Sequence, residues 1–340
     1  MDFFQEALMH ERSLHLFAAG ILALAVAIPA ARAQDKIRIA GNFASEHSSS
    51  AAMEKVFKAE LAKLSGNQMQ VDIFPAMQLG GAKENVDAVR SGTLFMTWVG
   101  AAFLSRIVPE LEAVSLPFLF PSREAAFTVI DGPVGQLLDR KLGEKGFIAL
   151  GWMELGARHI TNSKRPIKAL ADLKGLKIRL QPNETHLATF RALGANPIAM
   201  DVKELYSALE QGVVDGQENP YAIIAANRYG EVQKFVSNSG HFFDFIAIVA
   251  NRKQFEAMKP EQQKAIRGAM SAAIASQRAA AAELDAKSLA ELRKKMRYDP
   301  VPPQALGDMR KASAEVIDQV KKRAGAELVE RVLAEVGKAR

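Results

Sequence analysis

The stretch GARHITNSKRPIKALADLKGLKIRLQPNETHLATFRAL, residues 156–193, decides the fold class of this sequence. Residues 158–162 and 177–180 have the composition of short strands, and residues 184–193 have the apolar spacing of a helix. Strand patterns that alternate with helix patterns imply parallel strands covered by helices on both faces. The stretch therefore predicts an α/β fold.

The same alternation extends over most of the chain, whose 340 residues fit two domains better than one. Further strand patterns lie at residues 36–40, 69–74, 94–99, 147–152 and 242–251, and further helix patterns lie at 48–64, 84–90, 134–142 and 202–211. The serines at the start of the 48–64 pattern are expected to cap that helix.

After residue 251 the sequence reads as helix to its end, with an alanine-rich pattern that is nearly continuous from 265 to 296. We therefore predict two lobes with a cleft between them, followed by a long C-terminal helical region that contacts both. The predicted first lobe comprises residues 34–155 and about 245–285. The predicted second lobe comprises residues 156–244 and about 286–340.

The N-terminus has the order of parts of an export signal. An uncharged apolar run, LFAAGILALAVAI at residues 16–28, follows Arg12 and precedes the small-residue pattern Ala-Arg-Ala at 31–33. The alternatives are a buried helix or a membrane anchor, but the run is too short to span a bilayer comfortably. Residues 1–33 are therefore predicted to be a cleaved signal peptide and the mature protein to be periplasmic. The acidic residues before Met9 are unusual for a signal peptide, which makes Met9 an alternative start of translation.

The composition excludes several kinds of site. The chain has no cysteine, which rules out disulfides and thiolate metal sites. His159, His186 and His241 lack the spacing of metal ligands, so no metal and no cofactor is expected. The net charge of +6 comes from basic residues interleaved with acidic ones on helices, which favours solvated helix faces over a nucleic-acid surface. A basic surface does raise the local concentration of anionic solutes.

Two arginines stand inside predicted strands. Arg158 begins the 158–162 pattern, and Arg179 lies near the end of the 177–180 pattern. A guanidinium buried in a sheet needs a partner, because unpaired burial costs several kcal/mol. Near the end of a strand that partner could be a ligand carboxylate, whose two oxygens match the guanidinium fork. A structural salt bridge is an equally good explanation at this point.

Asn219 is the third polar candidate. It ends the stretch VVDGQEN at residues 213–219, which begins as a short apolar strand, and it precedes Pro220. The proline restricts Asn219 to an extended conformation and so fixes the direction of its amide. That amide could donate to a ligand oxygen or join the loop to its neighbour.

The sequence contains no common catalytic motif. It has no G-x-S-x-G, no P-loop and no G-x-G-x-x-G. Acidic pairs such as Asp139 and Glu144 fall on helix surfaces. A binding protein is therefore expected rather than an enzyme.

Several separated segments resemble, in order, the solute-binding proteins of TRAP (tripartite ATP-independent periplasmic) transporters of the C4-dicarboxylate-binding type. They are IFPAMQLGG (73–81), SLPFLFPSREAAF (115–127), GARHITNSKRPIKALADLKGLKIR (156–179), ALGANPIAM (192–200) and ELYSALEQGVVDGQENP (204–220). The similarity extends from about Lys36 to the C-terminus.

The resemblance implies a specific fold, site and partner. It implies the two-lobed periplasmic binding protein fold, which closes on a small organic acid and delivers it to the membrane permease subunits of a TRAP transporter. In this family the arginine matched by Arg179 binds the ligand carboxylate, and the residues matched by Arg158 and Asn219 assist it. A monomer is expected. The alternative is an ABC-type organic-anion binding protein, which shares the fold principle and differs in its permease.

The remaining candidates concern the walls of the site. His47, in the loop after the first strand, is a candidate polar contact, and Trp98 and Phe243 are candidate pocket walls, although large aromatics are more often core. Gly100 and Val202 stand where sialic-acid-binding members carry an acidic and an aromatic residue, so sialic acid is not expected. Which organic acid is bound stays open.

Overall fold

A single mixed sheet organises the protein. The computed structural model describes residues 37–339, so the predicted signal peptide lies outside the described residues and stays a prediction. Within this range the sheet has nine strands in the order β2-β1-β3-β8-β4-β7-β5-β6, with β9 paired to β8. Helices cover the sheet on both faces, which confirms the α/β prediction.

The strands are β1 Ile37–Gly41, β2 Val71–Phe74, β3 Met96–Gly100, β4 Phe147–Asn162, β5 Lys177–Leu180, β6 Asn196–Ala199, β7 Gly216–Asn219, β8 Phe235–Asn251 and β9 Arg297–Pro300. Helix α1 is continuous through three segments, Ser48–Ala51, the π-helical Ala52–Phe57 and Lys58–Leu64. The later helices are α2 Ala82–Ser91, α3 Arg123–Asp131, α4 Pro133–Glu144, α5 Glu184–Ala192, α6 Val202–Glu210, α7 Tyr221–Ala226, α8 Arg252–Glu256, α9 Pro260–Lys295, α10 Pro303–Ala312, α11 Val316–Ala324 and α12 Ala326–Lys338.

Two long antiparallel strands, β4 and β8, join the two halves of the sheet. The first half contains the parallel strands β2, β1 and β3, and β3 pairs antiparallel with the end of β8. The second half contains the parallel strands β6, β5 and β7, and β7 pairs antiparallel with the end of β4. The parallel arrangement predicted from the sequence is therefore right within each half and wrong for the strands that connect them.

The middle of β4 is irregular. Its register against β8 shifts between Ala149 and Gly151, between Glu154 and Gly156, and between Arg158 and Ile160. Gly151 and Gly156 adopt positive φ angles of 135° and 109°, which residues with a Cβ rarely adopt. Bulges increase local twist and bend a strand, so β4 changes direction where it passes from one half to the other.

The long helix α9 has 36 residues and is therefore about 54 Å long. It packs against α1 and β4 on one side of the molecule and against α7 and β9 on the other. The prediction of a long helix in the C-terminal region that contacts both halves is confirmed. The last two helices, α11 and α12, pack against α3, α4 and α5. The residue boundaries predicted for the two lobes stay a prediction.

Four local expectations differ from the structure. Helix α1 is capped by His47 rather than by a serine, because the helix begins at Ser48 and the His47 ring accepts a hydrogen bond from the Ser49 amide. The strands predicted at 147–152 and 158–162 are one strand, β4. The apolar pair Val213-Val214 lies before β7, which begins at Gly216. The C-terminal region contains a strand, β9, within its helices.

No helix within residues 37–339 is long and apolar enough to cross a membrane.

Candidate ligand-binding site

A small pocket lies where the carboxyl ends of β1, β3, β5 and β7 approach one another. Its lining comes from both halves of the sheet and comprises Asn42, Phe43, Gly100, Phe103, Leu155, Arg179, Gln181, Val202, Asn219, Ile223 and Asn227. We call it the Arg179 pocket. Ligands of α/β proteins bind beyond the carboxyl ends of the strands, which is where this pocket lies. Its free volume is about 20 Å³, so the two halves are close together.

Arg179 provides the positive charge of the pocket. Its side chain, which projects from β5, is 1% exposed. Nε and Nη2 both donate to the carbonyl oxygen of Met200, at 2.9 and 2.6 Å. Among residues 37–339 no carboxylate forms a salt bridge with it. Burial lowers the pKa of Arg179, since the charged form is poorly solvated there. The guanidinium is thus held in one orientation by a backbone carbonyl while its charge stays unpaired.

Arg158 has the opposite environment. It is fully buried, and its guanidinium donates to both carboxylate oxygens of Glu218, at 2.5 and 2.7 Å. Its Nη1 lies 3.3 Å from a carboxylate oxygen of Asp244. The structural salt bridge, which the sequence left as an alternative, is therefore present. Arg158 does not line the Arg179 pocket, and its charge is compensated by protein groups.

Arg158 also connects to the pocket through two amides. Its Nη2 donates to Oδ1 of Asn219 at 3.0 Å. The hydrogen-bond network assigns the Gln181 amide the orientation in which its oxygen faces Arg158. In that orientation the oxygen accepts from Nη2 and Nη1 of Arg158 at 3.0 and 2.7 Å. Both Asn219 and Gln181 line the pocket, so Arg158 holds two pocket residues in position.

Glu218 is the centre of this buried network. Besides Arg158 it contacts Nε2 of His241, at 3.3 Å. Burial alone raises the pKa of Glu218, but Arg158 and His241 together hold it well below its ordinary value. The carboxylate is therefore ionised at neutral pH. Burial lowers the pKa of His241, which keeps the imidazole neutral.

The structure places His47 and Phe243 in a different cavity. This second cavity has a volume of about 590 Å³ and lies between β4, β8 and α9. His47 stacks on Phe43 with ring centroids 4.9 Å apart, and burial lowers the pKa of its ring to about 4. Phe243 belongs to a cluster of edge-to-face rings with Phe120, Phe127 and Phe245.

Trp98 lies in the hydrophobic core. Its side chain is 0% exposed and packs over Gly41, its neighbour on the paired strand β1. A Cβ added to Gly41 would come within 2.2 Å of the indole ring. Trp98 therefore packs against the end of β1, which leads to Asn42, and does not line the Arg179 pocket.

The pocket contains polar residues that the sequence did not identify. Asn42 follows β1 directly and is 6% exposed, and its Oδ1 has no hydrogen-bond partner among the described residues. Asn227 follows α7, and its Nδ2 donates to the carbonyl oxygen of Ile223. The position of Asn42 at the carboxyl end of a parallel strand was the available signal. Within residues 37–339 no cluster of acidic residues and histidines is placed to hold a metal ion.

The sequence matches one protein family over most of its length. Residues 39–323 match the family described as bacterial extracellular solute-binding protein, family 7. A solute-binding protein of Verminephrobacter eiseniae is 37% identical over 284 residues, which is 84% of each chain.

Solved structures have the same fold. The sugar acid binding protein from Advenella mimigardefordensis, in complex with galactonate, superimposes with a TM-score of 0.87 at 33% identity over 89% of this chain and 98% of that one. A TRAP periplasmic solute binding protein from Sulfurospirillum deleyianum with bound succinate gives 0.84 at 28% identity over 88% and 98%. This chain thus belongs to family 7 of the bacterial extracellular solute-binding proteins, the two-lobed solute-binding proteins of TRAP transporters.

Proposed function

We propose that this protein binds the carboxylate of a small organic acid through Arg179 and delivers the acid unchanged to its TRAP permease. One observation carries the proposal: Arg179 is a buried guanidinium that has no carboxylate partner among the described residues and lines a pocket formed by both halves. A buried charge of this kind needs an anionic partner to offset its desolvation. The galactonate and succinate bound by two structural relatives are acids of this kind.

The other candidate residues take more indirect roles in this proposal. Asn219 contacts the carboxylate beside Arg179, and Arg158 assists by holding the amides of Asn219 and Gln181. His47 and Trp98 stabilise the segment around Asn42 and Phe43 from the first half. Phe243 contributes to the second cavity, where the two halves approach α9.

We further propose that the protein acts in the periplasm as a monomer, after removal of residues 1–33, without binding nucleic acid and without catalysis. The match to family 7 disfavours the ABC-type alternative, which would require a different permease. Recovery of the bound acid unchanged after prolonged incubation, followed by mass spectrometry, distinguishes a binding protein from an enzyme.

The test of the carboxylate site is calorimetry with a panel of organic acids that includes galactonate and succinate. Wild type should bind at least one of them with 1:1 stoichiometry. Arg179→Ala should weaken that binding by about 3–5 kcal/mol, because the buried carboxylate is left unpaired. Arg179→Lys should also weaken binding, since an ammonium cannot form two parallel hydrogen bonds.

Arg90→Ala is the matched control, because Arg90 is an exposed arginine on α2, remote from the pocket lining. It should bind like wild type. Unchanged affinity in Arg179→Ala would contradict the assignment of Arg179.

A further inference from the structure

The N-terminus of helix α2 receives a cap from the other half of the molecule. Helix α2 follows β2 in the first half and begins at Ala82, and its N-cap residue, Gly81, has no side chain that could accept a hydrogen bond. The backbone amide of Lys83 donates instead to Oδ2 of Asp201 at 3.0 Å. Asp201 directly precedes α6, which follows β6 in the second half.

This hydrogen bond joins segments that the sheet places far apart. In the strand order of the sheet, β2 and β6 are the two ends. The segments that follow them meet nevertheless, because the two halves approach each other at the Arg179 pocket, whose lining comes from both. The hydrogen bond between Lys83 and Asp201 therefore belongs to the closed arrangement of the halves, and their separation breaks it.

Asp201 caps its own helix at the same time. Its Oδ1 accepts a hydrogen bond from the amide of Lys203 at 3.0 Å, in the first turn of α6. One carboxylate thus caps two helices, one from each half, and uses a different oxygen for each. Negative charge is favourable at a helix N-terminus, and here the same charge lies at two of them. The cap of α6 lies within one half and persists when the halves separate, whereas the cap of α2 is lost.

Gly81 makes the close approach of Asp201 possible. Its φ and ψ angles are −68° and 178°, which any residue can adopt, so the backbone conformation does not require glycine. The space does, because a Cβ at this position would lie 2.7 Å from Oδ1 and 2.9 Å from Cγ of Asp201. Asp201 would have to move and so give up its position between the two amides. Gly81→Ala should therefore leave the first half undisturbed and obstruct its contact with Asp201.

We propose that Asp201 and Gly81 form a latch that stabilises the closed arrangement of the two halves. Neither residue lines the Arg179 pocket, so the latch acts on affinity through the population of the closed form. The latch adjoins the site along the chain, since the carbonyl of Met200 orients Arg179 and Val202 lines the pocket. The inference goes beyond the proposed function and rests on it in one respect, because the affinity measurement requires an acid that binds.

The first experiment compares wild type with Asp201→Asn and Gly81→Ala. Asparagine has the size of aspartate but a single side-chain oxygen, so it can cap α6 or α2 and not both. Calorimetry uses galactonate or succinate, whichever binds wild type, and the apparent dissociation constant rises by the factor by which the closed population falls. We expect each variant to raise it about tenfold, as for one hydrogen bond to a charged group. The double variant should raise it no further, because both changes remove the same contact.

Gly307→Ala is the matched control, because an added Cβ there has open space within the described part of the chain. It should bind like wild type. Gly81→Ala separates the latch from a direct effect on the site, because Gly81 lies in the half opposite to Met200 and Arg179. Wild-type affinity in both variants would overturn the latch. Weaker binding in Asp201→Asn alone would overturn it too, and would indicate that the charge of Asp201 acts on Arg179 directly.

The second experiment measures the closed population by the distance between two spin labels. The chain has no cysteine, so Arg90→Cys on α2 and Glu210→Cys on α6, both at exposed positions, provide unique labelling sites. With the acid at the wild-type dissociation constant, both variants should show a smaller fraction of short distances than wild type, and equal distributions would overturn the latch. If no acid of the panel binds wild type, the proposed function fails, and the distributions without acid decide the latch alone. A closed fraction that both variants reduce then supports the latch, and an equal fraction overturns it.

Discussion

Arg179 and Arg158 are equally buried guanidinium groups with different partners. Arg158 is paired with Glu218 and Asp244, whereas Arg179 donates to a backbone carbonyl and has no carboxylate partner within the described residues. An unpaired buried charge lowers the stability of the fold. Removing one member of a buried ion pair leaves the other member as an unpaired buried charge, which lowers stability for the same reason. The same substitution at the two positions should therefore have different consequences.

Without ligand, we expect Arg179→Met to lower the free energy of unfolding by no more than about 1 kcal/mol, or to raise it, because the change removes an uncompensated charge. The variant should lose the stabilisation by ligand, which for wild type is about 2.7 kcal/mol at 100 times the dissociation constant. Urea unfolding with and without an acid that binds wild type in the calorimetric panel measures both quantities. A loss of more than about 3 kcal/mol without ligand would indicate that Arg179 is paired within the protein.

Arg158→Met should lower the free energy of unfolding by about 3–5 kcal/mol, because Glu218 and Asp244 are left buried with uncompensated charge. Adding Glu218→Gln should recover part of this loss, and the two changes should not be additive. Urea unfolding of the single and double variants tests this. Wild-type stability of Arg158→Met, combined with loss of binding, would instead assign Arg158 to the ligand.

The sequence predicted the positions of Arg158, Arg179 and Asn219 but could not assign their partners. Glu218 reaches Arg158 because β4 and β7 pair antiparallel, with Ile160 opposite Glu218. That register depends on two segments about 60 residues apart, which no local pattern encodes. The position of Asn42 after a strand could be read from the sequence, but that its Oδ1 has no partner among the described residues becomes visible only in the folded structure, where both halves line the pocket.

At the scale of elements, Asp285 links the long helix α9 to the segment that carries Asn219. One carboxylate oxygen of Asp285 accepts a hydrogen bond from the backbone amide of Ala222 at 2.9 Å, in the first turn of α7. Helix α7 begins two residues after Asn219. Burial raises the pKa of Asp285 to about 6, although the amides of α7 oppose this shift.

The pKa of Asp285 predicts a pH dependence with a definite sign. Its folded-state pKa of about 6 exceeds its ordinary value of 3.8, so its contribution to stability is full below pH 3.8 and is lost as the pH rises through 6. Asp285→Asn keeps an acceptor for α7 and does not titrate. We expect the variant to match wild type near pH 4 and to exceed it by about 1–3 kcal/mol above pH 6.

Urea unfolding of both proteins across this pH range is the measurement. The quantity to compare at each pH is the difference in free energy of unfolding between variant and wild type, because His47 titrates in both proteins and acts in the opposite direction. Burial lowers the pKa of His47 to about 4, so its contribution to stability is lost as the pH falls. Asp318→Asn, at an exposed position on α11, is the control for the loss of one carboxylate. A constant difference for Asp285→Asn would contradict the assigned titration.

Element prediction succeeded where periodicity and burial agree and failed where tertiary pairing decides. The helix patterns at 184–193 and 202–211 correspond to α5 and α6 within one residue. The strand β7 begins at Gly216 although Val213 and Val214 have the higher strand propensity, because residues 216–219 pair with β4 and residues 216–217 also pair with β5. A Cβ at Gly216 would come within 2.2 Å of the Thr161 carbonyl oxygen, so the close pairing depends on glycine.

At the scale of the whole molecule, the Arg179 pocket implies movement of the two halves. Its free volume of about 20 Å³ is close to that of one water molecule and too small for a four-carbon acid to enter. Residues of both halves line it, so separation of the halves opens it. The bulges of β4 at Gly151 and Gly156 lie between the halves, at positions where a small change in backbone angles alters their relative orientation.

We therefore predict that wild type without ligand has a larger radius of gyration than wild type saturated with an acid identified in the calorimetric panel. Contacts from both halves give the closed form a higher affinity for the ligand, and only this difference can shift the equilibrium between open and closed forms. Small-angle scattering at matched protein concentrations measures the change. Arg179→Ala is the control, and its radius of gyration should not respond to the acid at the concentration that saturates wild type. If wild type shows the same radius and distance distribution with and without ligand, the two halves do not close on the acid, and the permease must recognise the loaded protein by something other than its shape.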